Sequence, residues 1–222
     1  ELATDDWPHL YLEDRRLPAP YLQSLALIVL FTIGILMRSV HSLGRASHLQ
    51  MFLLGAGFML LETRSITQSA LLFGSTWIVN AVVIGMILVV IFAGNLVVMV
   101  GRSPRKAYCW LGLFATLIAS YFVSPAFILQ HTLGIRLAFT ALWIGAPILC
   151  ASLIFSHCFR DVADPALAFG ANLLGVVIGG TIEYSSMIWG LNSLYLTTGA
   201  IYLTAALAGG GWTRGSASSG TA

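Results

Sequence analysis

GAGFMLLETRSITQSALLFGST, residues 55–76, decides how this chain is read. It is apolar enough to lie inside a bilayer as a helix, yet it carries a carboxylate, Glu62, and a guanidinium, Arg64. An ionisable group at that depth costs roughly 2.5–3.5 kcal/mol on insertion scales unless it is paired or hydrated, so each counts as a functional candidate. Two positions of a helix differ by about 200°, so Glu62 and Arg64 cannot pair with each other within one regular helix. Each needs a partner from elsewhere. By spacing, Glu62 shares a face with Gly55, Ser65 and Ser69, and Arg64 shares one with Gly57, Leu60 and Gln68.

The composition around this stretch is that of an integral membrane protein. Of 222 residues, 58% are hydrophobic and 9% charged, with a mean hydropathy of +0.87. Soluble domains carry about 25% charged residues. A net charge of +2 without any basic run gives no ground for nucleic acid as a partner. Cys109, Cys150 and Cys158 lie in or beside apolar segments with no CxxC pair, and read as small buried hydrophobes. No dinucleotide fingerprint, nucleophile elbow, HExxH or P-loop occurs, so no catalytic residue, cofactor or metal ligand is expected. The chain begins at Glu1 without a signal-peptide pattern and is read as a processed product or part of something longer.

Residues 1–19 form a polar lead-in, with Trp7 and Tyr11 expected at headgroup level and Pro18 and Pro20 ending any earlier helix. Residues 20–208 are expected to form an all-α transmembrane helix bundle, and 209–222 a flexible tail. Hydropathy predicts about seven spans of the ~20 residues that a bilayer core requires. They run near 20–38, 48–73, 77–100, 106–124 (closed by Pro125), 134–157 (with Pro147 as an expected kink), 165–189 and 192–208. Asp164 is placed to cap the sixth, with Pro165 at its first position. Arg38, Arg45, Arg102, Arg105, Lys106, Arg160 and Arg214 then fall on one side, and Arg15, Arg16 and Arg136 on the other. The positive-inside rule puts the C-terminus in the cytoplasm and the N-terminus outside. The expected location is the bacterial inner (plasma) membrane, as a multi-pass protein.

Counting isolates the unusual charges. Seven of the nine acids lie in the lead-in or between Arg160 and Asp164, leaving Glu62 and Glu183; of eleven basic residues only Arg64 falls inside a span. The sixth span answers the second: Asn172, Gly175, Gly179 and Glu183 follow at steps of three or four and form one stripe. Small residues permit close helix approach. The two spans are therefore expected to pack together, with Arg64 meeting Glu183 or Asn172 holding Glu62. Gln68, Asn80 and Asn95 read as interhelical hydrogen-bonding groups. Packing is the plainer role for all of these, and transport or proton relay the sharper one. His131 and His157 have no second ligand at a useful spacing and read as solvated or interfacial; Trp77, Trp110, Trp189 and Trp212 read as interface anchors.

The stretch GFMLLETRSITQSALLFGSTWIVNAVV (57–83) resembles a helix pair of the polytopic spermidine-synthase-like membrane proteins. ATDDWPHLYLEDRRLPAPYL (3–22) is similar to the segment by which that family's chain enters the membrane, and NLLGVVIGGTIEYSSMIWGLNSLYL (172–196) to its closing helices. The family's soluble part is an S-adenosylmethionine-dependent aminopropyltransferase or methyltransferase-like domain. The resemblance implies that this chain is the membrane part only, because no position here matches the family's catalytic residues.

The expected function is that of a non-catalytic membrane domain or subunit that anchors a larger assembly. Its expected partners are the lipid bilayer and other membrane subunits or a soluble domain missing from this chain. The alternatives are a transporter-like core for a small cation, amine or proton, with Glu62, Arg64 and Glu183 on its path, and the membrane part of a spermidine-synthase-like enzyme.

Overall fold

Ala46–Phe73 is one unbroken helix, and it is the hub of the fold. The computed structural model describes residues 6–8, 15–43, 46–123 and 125–209. Among these the regular structure is helical, without strands: α1 (Ala19–Leu43), α2 (Ala46–Phe73), α3 (Trp77–Met99), α4 (Lys106–Phe122), α5 (Pro125–Leu129), α6 (Leu133–Arg160), α7 (Pro165–Glu183), α8 (Ser186–Trp189) and α9 (Ser193–Ala208). The stretches Trp77–Met99, Leu133–Arg160 and Pro165–Trp189 are long and apolar enough to cross a membrane. Their outward residues, Trp77, Phe92, Met99 and Leu142 among them, are large, apolar and exposed. Contiguous apolar surface on that scale suits lipid, not water.

Local signals set the helix starts. Gly74 takes φ +93°, a conformation open to glycine, and Thr76 then caps α3 by accepting from the Val79 N–H at 3.3 Å. Asp164 caps α7 through the Leu167 N–H at 3.1 Å, with Pro165 at the first position. α4 ends at Phe122, ahead of Pro125, as the sequence reading has it, and the same proline also opens the short helix α5. The physical reason is that proline's missing N–H is harmless in a first turn. α6 runs through Pro147 as one helix.

α2 packs most extensively on α7 and next on α9, and also touches α6, α3 and α5. The contacts fix directions. Met51 lies by Asn172, Ala56 by Gly179 and Met59 by Gly180, so α2 and α7 run parallel. Gln50 lies by Ala205, Gly57 by Tyr202 and Gln68 by Tyr195, so α9 runs antiparallel to α2. On the far side α3 lies parallel to α6, as Val90 by Gly145 and Gly94 by Ser152 attest, and α4 antiparallel to it. α1 leans on α7, with Tyr21 against Tyr184 at the end of that helix.

Two ends follow from this zigzag. At one, the His157 ring donates from Nε2 to the Pro104 carbonyl at 3.2 Å, so Arg102, Arg105, Lys106 and Arg160 share that end. At the other, the Arg136 guanidinium lies 5.3 Å from the Phe73 ring. The core between them centres on Met51, Leu54, Trp110, Leu113, Ile154 and Tyr202. Trp110 corrects its reading as an interface anchor. It is fully buried, stacked on Phe114 and edge-on to Tyr202, because α4 turns that face toward α6 and α9. Trp77 and Trp189 are exposed, whereas Trp212 and Tyr11 lie outside the described residues.

Candidate functional site

The α2–α7 seam is built on glycine. A Cβ on Gly175 would overlap the Phe52 carbonyl, one on Gly55 the Asn172 carbonyl, and one on Gly179 would stand 2.5 Å from the Ala56 oxygen. All three obstacles are backbone, which cannot rotate away as a side chain can. At this distance the Asn172 side chain reaches across and donates from Nδ2 to the Met51 carbonyl at 2.9 Å. Asn172 therefore holds backbone, not Glu62 as its spacing had led us to expect. A carbonyl in the first half of α2 lies closer to it than a side chain two or three turns further on.

The Arg64 face of α2 turns toward α9. Tyr202 packs against Gly57, and the Tyr195 hydroxyl donates to Gln68 Oε1 at 2.9 Å. Arg64 is only 4% exposed. Its Nη2 donates to Asn192 Oδ1 at 3.2 Å, and its Cζ lies 5.0 Å from the centre of the Tyr195 ring. Among the described residues no acceptor serves its Nε or Nη1. The expected pairing with Glu183 is absent; among the described residues the ion pair within 4 Å is Arg160–Asp161. Arg64 lies on the α9 side of α2, whereas Glu183 ends the helix packed on another side, so the cation is met by the head of α9 instead.

Asn192 passes the contact on. Its backbone N–H donates to Asp6 Oδ1 at 2.7 Å, and the neighbouring Leu191 N–H donates to the Asp6 carbonyl at 2.7 Å. These donors are free because the chain breaks between α8 and α9 at Gly190, where φ is +86°. A Cβ there would run into the Asp6 carboxylate. Beside it Trp7 is 1% exposed and donates from Nε1 to the Met187 carbonyl at 2.7 Å, with the Arg15 guanidinium 5.6 Å from its ring. Trp7 is thus packed inside the fold, its indole N–H held by a carbonyl of α8. Asp6, one of five lead-in acids, carried no distinguishing signal in the sequence. The result is a partly buried polar joint, Asp6–Asn192–Arg64, between the N-terminal segment, α9 and α2.

The remaining polar residues divide. Asn95 Oδ1 accepts from Ser156 Oγ, joining α3 to α6, and Gln50 donates to the Ala205 carbonyl at 3.0 Å, joining α2 to α9. Asn80 has a buried Oδ1 without a partner among the described residues. Glu62 and Glu183 are both partly exposed and stay apart from Arg64. Met59 touches Gly180, and the two acids each lie three residues further along these parallel helices, so they stand at matching heights. His131 is exposed, within 3.0 Å of the Phe127 carbonyl. Among the described residues no group of three His, Cys, Asp or Glu is placed to hold a metal.

No protein-family model, curated protein or solved structure matches this chain.

Proposed function

We propose that this chain is a seven-crossing membrane domain that anchors a larger assembly, with the N-terminal segment as its fixed attachment. The observation that supports this reading is the Asp6–Asn192–Arg64 joint. A tether needs only a loose linker, whereas an anchor that orients its cargo needs a rigid one. Here an acid, a buried indole and two backbone N–H groups fasten the segment at the junction of α8 and α9. The buried amides of Gln50 and Gln68 and the half-buried one of Asn172 each tie α2 to a neighbour, which is the use expected of packing groups.

On this proposal α1, α2, α3, α4, α6, α7 and α9 each traverse the bilayer. The basic end, with Arg102, Arg105, Lys106 and Arg160, faces the cytoplasm, and the Asp6 end faces outward, in a bacterial inner membrane. The spermidine-synthase-like resemblance would make the anchored cargo a soluble domain. A domain that uses S-adenosylmethionine would sit in the cytoplasm, so reporter fusions at the Asp6 end bear on both ideas at once.

Transport of a small cation or amine is the second reading, favoured by the matched heights of Glu62 and Glu183 on parallel helices. Purification from native membranes with mass spectrometry of partners separates the two. For an anchor, Glu62→Gln and Glu183→Gln leave assembly and any uptake unchanged. Loss of uptake with assembly intact would overturn the anchoring role in favour of transport.

A further inference from the structure

Where α4 ends and α9 begins, two open cavities share Tyr121 and Leu196 and so run into one another. The first, of about 650 Å³, is a polar vestibule beside the N-terminal segment, with Asp6, Trp189, Asn192, Ser193 and Thr197 on its walls. The second, of about 280 Å³, is an apolar groove between the two helices, walled by Phe114, Leu117, Ile118 and Phe122 of α4 and by Gly199 of α9. Phe114 lies two turns back from Phe122, about 12 Å along the helix. Ile118, Phe122 and Leu196 are exposed, so the groove opens sideways toward hydrocarbon. Nothing lies within 4 Å of a Cβ added at Gly199, so the missing side chain leaves space on the α9 side.

The vestibule is rich in acceptors that a ligand can reach. Ser193 Oγ donates to the Gly190 carbonyl at 2.6 Å and Thr197 Oγ1 to the Ser193 carbonyl at 3.0 Å. A hydroxyl has a single hydrogen, so both can only accept from a guest. Asp6 is half-buried, and its carboxylate takes the Asn192 N–H at 2.7 Å with lone pairs left over. None of the lining residues is cationic, and Arg64, behind Asn192, is 4% exposed and does not reach the vestibule. The exposed rings of Tyr121 and Trp189 also favour a cation. A carboxylate, spent hydroxyls and aromatic rings above an apolar groove match an ammonium group that carries a hydrocarbon chain.

We propose that this groove holds one phospholipid with a primary-amine headgroup, its ammonium on Asp6 and an acyl chain between α4 and α9. The hydroxyls of Tyr121 and Ser185 and the Nδ2 of Asn192 are left to donate to its phosphate. Choline, with no N–H, cannot replace the ammonium as a donor, and Asp6 repels an anionic headgroup. The inference rests on α4 and α9 crossing the bilayer, as in the proposed function, and holds whether the chain anchors or transports.

The test is native mass spectrometry of the full chain in mild detergent, with lipids of identical acyl chains. Phosphatidylethanolamine should be retained about tenfold over phosphatidylcholine, the worth of one charge-assisted hydrogen bond, and retention should fall with each N-methyl group between them. Phosphatidylglycerol should be retained least. Asp6→Asn should level the amine and choline lipids, and if that variant does not fold, the N-methyl series on the unaltered chain decides. Gly199→Leu should lower retention of every lipid, whereas Phe92→Ala, on the outer face of α3, should change nothing. Glycerophosphoethanolamine, a headgroup without chains, should not compete. Equal retention of all headgroups, an unchanged preference in Asp6→Asn, undiminished binding in Gly199→Leu or competition by the free headgroup would each overturn the site while leaving the crossings untouched. A chain that carries no lipid of any kind would count against the crossings as well as the site.

Discussion

The α-carbon of Gly175 rests against the carbonyl oxygen of Phe52, so the axes of α7 and α2 come as near as two backbones allow. In lipid, where apolar side chains gain little by leaving their surroundings, such contact is a main source of helix association. Gly175→Ala should therefore lower stability by about 1–3 kcal/mol, the usual cost of overpacking. Gly170→Ala is the control, because nothing lies within 4 Å of its added methyl. Thermal unfolding in detergent checks both; equal midpoints would show that the seam can open without cost.

Asn192→Ala should cost about 1–3 kcal/mol, because it leaves a buried guanidinium short of its acceptor. Arg64→Met in the same chain should recover part of that loss. A double-mutant cycle is expected to give a coupling of about 0.5–3 kcal/mol. Strict additivity would mean that the two side chains do not interact.

Trp7→Ala should release the N-terminal segment while the bundle persists. The amides of Leu191 and Asn192, both donating to Asp6, report this directly. Hydrogen exchange at these two positions should become fast in Trp7→Ala and stay slow in the parent. Unchanged protection would show that Asp6 docks without the indole.

Tyr195→Phe removes the donor to Gln68 but keeps the ring beside Arg64. The expected loss lies between about 0.6 kcal/mol, the average for hydrogen bonds between membrane helices, and about 1.7 kcal/mol, the largest such value. Tyr195→Leu should lose more, since the cation then also loses its aromatic neighbour. Unfolding titrations of the two variants side by side separate the hydroxyl from the ring.

The all-helical class and the helix positions were legible because apolar runs and caps are local. Residues 48–73, read as a span, fall within α2, and Asp164 caps α7 as read, with Pro165 at its first position. The faces were legible too: steps of 100° group Arg64 with Gly57 and Gln68, and that group meets α9. Partners were not. Asn192 and Asp6 become partners only through the break at Gly190, which frees backbone donors that no side-chain pattern records. Trp110 misled for a related reason, since an indole suits an interface and a core equally until its neighbouring rings are known.

Arg64 and Asn192 are 128 residues apart in the chain. Ribosomes add about 5–20 residues per second, so roughly 6–25 s pass between the synthesis of one and the arrival of the other. Over most of that interval α2 exists without α7, and over all of it without α9, with its guanidinium, Gln50 and Gln68 unanswered. On the seven-crossing proposal, the helix on which the others are later assembled enters the membrane under the care of the insertion machinery, and biogenesis, more than the finished fold, is where substitutions at Arg64, Gln68 or Gln50 will first be felt.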